Sequence, residues 1–485
     1  MLLTVQLSTL LFGMTITLTN VVLPQVQGAL SATQDQMAWV VTFNLVATAV
    51  GTPLSSWLAN RMGWRNLMFS AVLGFTVFSL LCGFATSLET LIIYRIGQGA
   101  FGAPILPIGQ AVLLAAFPRH LQPTIMMMWG IGGVVGPVAG PIFGSMISEV
   151  YDWRAAFFMI VPFGAAATIC AWYALAPFTE KRRTQFDWIG FLALASAIAA
   201  AQLILDRGQR QDWFDSYEII IEALVVGIGL WVFVVHSLTA QRPFLDPRLL
   251  LDRNFASGLL VALIMGMLSY VTLVLFPSLL HDLRGYPDSA IGLLLASRGL
   301  GNWLAFLVVV PFTKRNPRLA VTCGLFGQAA SGWAMAQLDI NLTSFDVFWT
   351  NVLQGFGFGL AFTPMMVLTF ATLPQQFMTE GTAVFNLMRN FGSSIFISIA
   401  IVLLVRTSAA NHAGLTEFIS PYNRALAYPD VLGQWNPATP AGLKAMAGEI
   451  QRQSAMIGYI NAFYLFAATA LVAIPLVWVM RDPPR

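Results

Sequence analysis

The chain is 485 residues long, carries a net charge of +3, and is 57% hydrophobic but only 10% charged. A soluble domain carries about 25% charged residues, so a chain this apolar could not cover its surface with polar groups, and the bilayer must be the solvent for much of it. The small net charge excludes an electrostatic nucleic-acid partner, and without a metal-ligand spacing, a nucleophile or paired carboxylates, neither enzyme activity nor a bound cofactor is expected.

The first apolar run begins almost at Met1 with no basic leader and outlasts a signal-peptide core, so it reads as a span rather than a cleaved signal. A span needs about 20 mostly apolar residues. Such runs predict fourteen, near 2–23, 37–59, 66–86, 90–116, 123–148, 154–177, 187–205, 217–238, 255–280, 289–312, 318–337, 346–372, 380–405 and 456–480. All are expected to be helices, because lipid leaves every backbone polar group to be satisfied internally. Cys82, Cys170 and Cys323 fall inside apolar runs and read as buried free thiols.

Loop charges orient the spans. With the N-terminus inside, the inner connections and tail hold Arg61, Arg65, Arg119, Lys181, Arg182, Arg183, Arg242, Arg248, Arg253, Lys314, Arg315, Arg318, Arg481 and Arg485. The outer connections hold Arg154, Arg207, Arg210 and Arg284. This bias predicts an even number of spans with both termini cytoplasmic. One connection, 406–455 on the outer side, is long; it contains Pro421, Tyr422, Tyr428, Pro429, Trp435 and a helix-like stretch over Ala441–Ser454, and reads as a docking surface or a loose loop.

The sequence also repeats. Gln98-Gly99 in span four recurs as Gln354-Gly355 in span twelve, 256 residues on, and Pro118 and Gly136 recur at the same offset as Pro374 and Gly392. The short basic link Asn60–Arg65 after span two is echoed by Lys314–Arg318 after span ten. The expected fold is therefore all-α, with two six-helix halves (1–178 and 255–485) and two inserted helices with their linkers (179–254). Secondary transporters are built on such repeats, with the substrate site between the halves.

Span five contains Gly130-Ile-Gly-Gly-Val-Val-Gly-Pro-Val-Ala-Gly-Pro-Ile-Phe-Gly144. Gly132, Gly136, Gly140 and Gly144 recur every four residues, which lays bare backbone along one face for close helix approach. Pro137 and Pro141 each remove a helix hydrogen bond. The pattern suits a sliding contact between the halves. Gly63 permits a tight turn between Asn60, Arg61 and Arg65, whose guanidinium groups can reach helix C-terminal carbonyls and lipid phosphates.

A charge inside a span marks function by default. Arg95 lies in span four with Gln98 one turn away, Arg298 in span ten with Asn302 one turn on, and Arg389 in span thirteen with Asn386 and Asn390. Acids are few: Glu222 lies a turn or two into span eight, while Glu149, Asp206, Asp346 and Glu380 sit near span ends, where water solvates them. Span one offers Thr15, Thr17, Thr19 and Asn20, and span two Thr42, Asn44 and Thr48. The coupling candidates are thus Arg95, Gln98, Arg298, Arg389 and Glu222. The lining candidates are Thr15, Thr19, Asn20, Asn44, Asn302, Gln354 and Asn386.

These motifs resemble the major facilitator superfamily, and in particular its fourteen-span drug:proton antiporters of the EmrB/QacA type. The matching segments are Asn20-Val-Val-Leu-Pro24, Leu58-Ala-Asn-Arg-Met-Gly63, Arg95-Ile-Gly-Gln-Gly99, Gly130–Gly144, Asp152-Trp-Arg-Ala-Ala-Phe157 and Asn386-Leu-Met-Arg-Asn-Phe-Gly392. Leu205-Asp-Arg-Gly-Gln209 and the long outer connection point to the EmrB branch. The resemblance implies proton-driven export of amphipathic compounds from an inner membrane, with lipid around it and a periplasmic adaptor and an outer-membrane channel as partners. Two positions depart from the family: Thr15 and Asn60 stand where aspartates are usual. The alternatives are an exporter of one anionic or neutral metabolite, or a membrane sensor that has lost proton coupling.

Overall fold

The structure, a computed structural model, describes residues 1–175, 185–420, 423, 426, 435, 436 and 439–481. Lys181, Arg182, Arg183, Pro421, Tyr422, Tyr428, Pro429 and Arg485 lie outside the described residues, as do the side chains of Arg119, Pro141 and Glu149. The described residues are helical with short connections. The helices are α1 (Leu2–Leu30), α2 (Gln34–Met62), α3 (Trp64–Gly83), α4 (Leu88–Gly102), α5 (Ile105–Ala116), α6 (Gln122–Val150), α7 (Trp153–Ala174), α8 (Trp188–Arg207), α9 (Tyr217–Thr239), α10 (Arg253–Ser278), α11 (Asp288–Arg315), α12 (Pro317–Ala336), α13 (Ser344–Phe370), α14 (Met378–Glu417) and α15 (Pro440–Val479).

Thirteen spans among the described residues are long and apolar enough to cross a membrane, with α4 and α5 forming one of them. The chain is a multi-pass membrane protein. The remaining expected span, 318–337, is present as α12, a helix of 20 residues. Gln328 and Ser331 dilute its hydropathy, and both bond to α13: Gln328 Nε2 donates to the Gln354 carbonyl (2.8 Å) and Ser331 Oγ to the Thr350 carbonyl (3.1 Å).

Local chemistry sets where helices begin. Thr33, Ser87 and Thr343 each accept from the backbone N–H three residues on, and the side chain at that third position caps the first residue in return. Asp152, Asp187, Asp252, Asn316 and Thr439 cap the helices that follow them. Gly63, at φ 82°, makes the turn between α2 and α3. Arg65 Nε then donates to the Trp172 carbonyl in the last turn of α7 (2.9 Å), with its guanidinium 3.9 Å from the Trp172 ring centre.

Span four is found as one span, Leu88–Ala116, with a break inside it: the helix ends at Gly102 and restarts after Pro104, which has no N–H to continue the ladder. One expectation needs correction. The long outer connection is shorter than 406–455. Helices α14 and α15 have 40 residues each and extend through 417 and from 440. At 1.5 Å per residue each is about 60 Å long, twice the hydrocarbon thickness.

Helices α1–α7 pack among themselves, as do α10–α15, and α8 packs on α9. The two groups meet along α6 against α11 and α13, and along α2 and α5 against α14. Helix α8 lies in the second of these seams, touching both α2 and α14. Helix α9 exposes Ile221, Leu224, Ile228, Trp231, Val234 and Leu238, an apolar face suited to lipid.

The repeat reappears as contacts. A Cβ on Gly99 (α4) would strike the Asn44 carbonyl of α2, and one on Gly355 (α13) would strike the Arg298 carbonyl of α11. A Cβ on Gly136 (α6) would lie 2.6 Å from the Leu10 carbonyl of α1, and one on Gly392 (α14) would strike the Leu263 carbonyl of α10. These glycines are required because two backbones touch there.

Candidate functional site

The glycine ridge does not face the seam. Positions for a Cβ on Gly132, Gly136, Gly140 and Gly144 fall on Gln6, Leu10, Met14 and Leu18 of α1, and Pro137 packs on Gly13. The expected sliding contact between halves is therefore a tight joint within the first group of helices. The glycine face lacks side chains and accepts the nearest helix of its own bundle, while the bulkier face of α6 turns to the seam. Ile131, Val135, Ile142 and Phe143 there line an apolar cleft of about 250 Å³ with Trp303 and Phe306 of α11.

Arg95 is buried in a polar cluster on α2, α3 and α4. Its guanidinium donates to Gln98 Oε1 and, through Nε, to the Val40 carbonyl (3.4 Å). Gln98 Nε2 donates to Ser79 Oγ (2.6 Å). Asn44 Nδ2 donates to the Arg95 carbonyl (2.7 Å), and Thr48 Oγ1 reaches the Asn44 and Gly99 carbonyls (2.8 and 3.3 Å). Among the described residues no carboxylate bonds to Arg95, so its charge is solvated by amide and hydroxyl dipoles.

The second group lacks this arrangement. Gln354 occupies the place of Gln98, but the repeat partner of Arg95 is Asn351. The arginine stands on the neighbouring helix instead, since the Arg298 carbonyl of α11 meets Gly355 as the Asn44 carbonyl of α2 meets Gly99. Its guanidinium donates to the Ser269 carbonyl and lies 5.2 Å from the Phe358 ring centre. Gln354 accepts from Thr272 Oγ1 (3.1 Å) and donates to the Leu268 carbonyl (3.4 Å). Asn302 is buried, with its Oδ1 against Gly359.

An aromatic platform joins these parts. Phe358 and Phe362 of α13 stack at 5.2 Å, and Trp129 of α6 stacks on Phe362 at 6.5 Å. The Arg389 guanidinium lies 5.8 Å from the Phe362 ring centre. Two guanidinium groups thus flank stacked rings where the two groups of helices meet. Trp129, Phe358, Phe362 and Arg298 are buried in this state, so their π faces and positive charge would meet a planar or amphipathic ligand only when the seam opens. Sequence reading singled out both arginines but missed Trp129, Phe358 and Phe362. Aromatic residues in apolar helices carry no sequence signal that separates lipid-facing from seam-facing positions.

Other expected residues fall elsewhere. Thr15 and Thr19 are buried, but their hydroxyls donate back to Leu11 and Thr15 (2.8 and 2.9 Å). Asn20 is exposed. Asn386 bonds across the seam to Gln110 of α5 (2.8 Å). Asn60 lines a polar cavity of about 160 Å³ with Trp57, Asp187, Arg242 and Glu380. Glu222 lies 3.9 Å from Arg207 and has no bond to the Arg95 cluster among the described residues, whereas Asp206 accepts a hydrogen bond from Thr42 of α2. Cys82 is buried as expected, but Cys323 is exposed.

Helices in two repeat-related groups around a shared polar and aromatic seam define a membrane transport protein. The chain belongs to the Major Facilitator Superfamily, whose sequence model matches residues 5–397, and within it to the EmrB branch. It is 32% identical over 471 residues to the multidrug export protein EmrB of Haemophilus influenzae, covering 96% of this chain and 92% of that one. It is 31% identical to the fatty acid resistance protein FarB of Neisseria gonorrhoeae, covering 96% and 93%. Among solved structures it resembles the proton:xylose symporter XylE with a TM-score of 0.64 at 12% identity, covering 98% and 94%, a likeness of fold.

Proposed function

We propose that the protein is a proton-driven multidrug exporter that takes anionic or neutral amphipaths in preference to cations. The observation that carries this reading is the platform of Phe358, Phe362 and Trp129 flanked by Arg298 and Arg389. A cationic ligand there would sit beside guanidinium groups that no described carboxylate neutralises, which disfavours it. The relatives' names, multidrug export and fatty acid resistance, support the same reading. Residues 1–178 and 255–485 rock about the seam, with 179–254 inserted between them. Both termini face the cytoplasm, the membrane is an inner membrane, and the outer ends of α14 and α15 with their connection receive a periplasmic adaptor that leads to an outer-membrane channel.

The test is a transport panel in proteoliposomes with and without an imposed pH gradient. Its probes are the anionic amphipath anilinonaphthalene sulfonate, neutral Nile red and cationic ethidium. Gradient-dependent export of the first two over ethidium is expected. Preferential export of ethidium, or export indifferent to the gradient, would refute the reading. A neighbouring gene for an adaptor with one span and a coiled-coil hairpin would support the tripartite assembly.

A further inference from the structure

Thr15 is neutral and its hydroxyl is already used within α1, so the first helix supplies no carboxylate to carry a proton. Among the described carboxylates in spans, Asp206 alone is hydrogen-bonded to a helix outside its own inserted pair: Thr42 Oγ1 of α2 donates to Asp206 Oδ2. One turn earlier on α8, Gln202 Nε2 donates to Ser394 Oγ of α14 (3.0 Å). Successive turns of α8 therefore hold α14 and α2, one from each group of helices. The segment of α2 that carries Thr42 also grips Arg95, through the Val40 carbonyl and the Asn44 amide.

We propose that Asp206 is the carboxylate that binds the coupling proton, and that its bond to Thr42 passes the proton's arrival to α2 and the Arg95 cluster. The proposal rests on the proton-driven reading above. In the outward-open state a proton from water adds to Oδ2 and forms an O–H bond. The charge-assisted bond from Thr42, about twice as strong as a neutral one, weakens to a neutral one, and the hold of α8 on α2 loosens. In the inward-open state that O–H bond breaks and the proton passes inward along the seam from the outer end of α8 to cytoplasmic water; no other reactant is needed.

The surroundings allow the group to titrate. Arg207 and Arg210 lie beside Asp206, but Arg207 is already paired with Glu218 of α9 (2.6 Å) and lies near Glu222 (3.9 Å). From α2 the partner is the neutral Thr42. From α14, Arg389 is turned to Phe362 and Arg406 is exposed. On α9, His236 is bound to Asp187 (2.8 Å) at the other end of the helix.

The experiment compares wild type, D206N, D206E and T42V in proteoliposomes with a pH gradient and anilinonaphthalene sulfonate as probe. D206N keeps an acceptor for Thr42 but cannot titrate. It is expected to lose gradient-driven export by about tenfold or more while still exchanging probe across the membrane. Probe binding to purified D206N should no longer release a proton, D206E should restore that release, and T42V should shift the pH midpoint of transport. Uphill export by D206N at the wild-type rate would overturn the proposal. So would failure of both D206N and D206E to bind the probe, which would mark a structural role. A wild-type protein that ignores the gradient would sink the proton-driven reading itself.

Discussion

Asn386 of α14 donates a 2.8 Å hydrogen bond to Gln110 of α5, and the two buried amides thereby tie one group of helices to the other. Asn386 Nδ2 also reaches the Thr382 carbonyl (2.8 Å), yet Gln110 Nε2 and Asn386 Oδ1 have no partner among the described residues. The unpaired atoms of such a buried pair carry a desolvation cost that water would relieve if the seam opened.

Loss of this tie should open the seam at the end that carries both termini. N386L would leave Gln110 buried without its acceptor role filled, a cost of about 1–3 kcal/mol, or roughly a 5–150-fold shift in population. Spin labels at the exposed His120 and Gln376, with Cys82, Cys170 and Cys323 replaced, would read this as a longer distance. An unchanged distance distribution in N386L would rule the tie out as a closing element.

The Arg95 cluster demands its fork of donors. R95K keeps the charge, but its compact ammonium lacks the rigid fork whose separate nitrogens reach Gln98 Oε1 and the Val40 carbonyl. R95A and R95K are both expected to abolish export, with R95A also lowering stability by about 1–3 kcal/mol through the orphaned Gln98. Export assays alongside thermal unfolding of the purified variants separate the two effects. Normal export by R95K would mean that charge alone suffices.

Two glycines of α6 should respond oppositely to alanine. At Gly136 a Cβ would lie 2.6 Å from the Leu10 carbonyl and 3.1 Å from the Met14 nitrogen, backbone atoms that cannot move aside. Overpacking there should cost about 1–3 kcal/mol. At Gly133 the nearest atom is Thr9 Cγ2 at 4.0 Å, so G133A should gain roughly 0.5–1 kcal/mol of helix propensity. Melting temperatures of the two variants decide it, and equal stability would contradict the α1–α6 backbone contact.

At the platform, R298A should weaken anilinonaphthalene sulfonate export more than Nile red export. A desolvated cation–π and charge contact is worth about 0.5–2 kcal/mol, so KM for the anion should rise roughly two- to thirtyfold. F358A should weaken both probes. Equal losses for anion and neutral probe in R298A would show that the guanidinium does not select charge.

Much of this molecule follows from local rules of the chain. Apolar runs bounded by charge produce spans because lipid admits only hydrogen-bonded helices, and the 256-residue repeat marks the glycines where backbones touch. Arg95 and Gln98, one turn apart, are legible as a pair because helix geometry alone brings them together. The partners across space are not legible. The glycine motif could have met any helix, and it met α1. Asp206 read as a solvated helix end until folding set α8 beside Thr42, and Trp129, Phe358 and Phe362 were indistinguishable from lipid-facing rings. In a bilayer every face of a span is apolar, so periodicity does not tell lipid from neighbour, and the choice falls to which surfaces fit closely enough to exclude lipid.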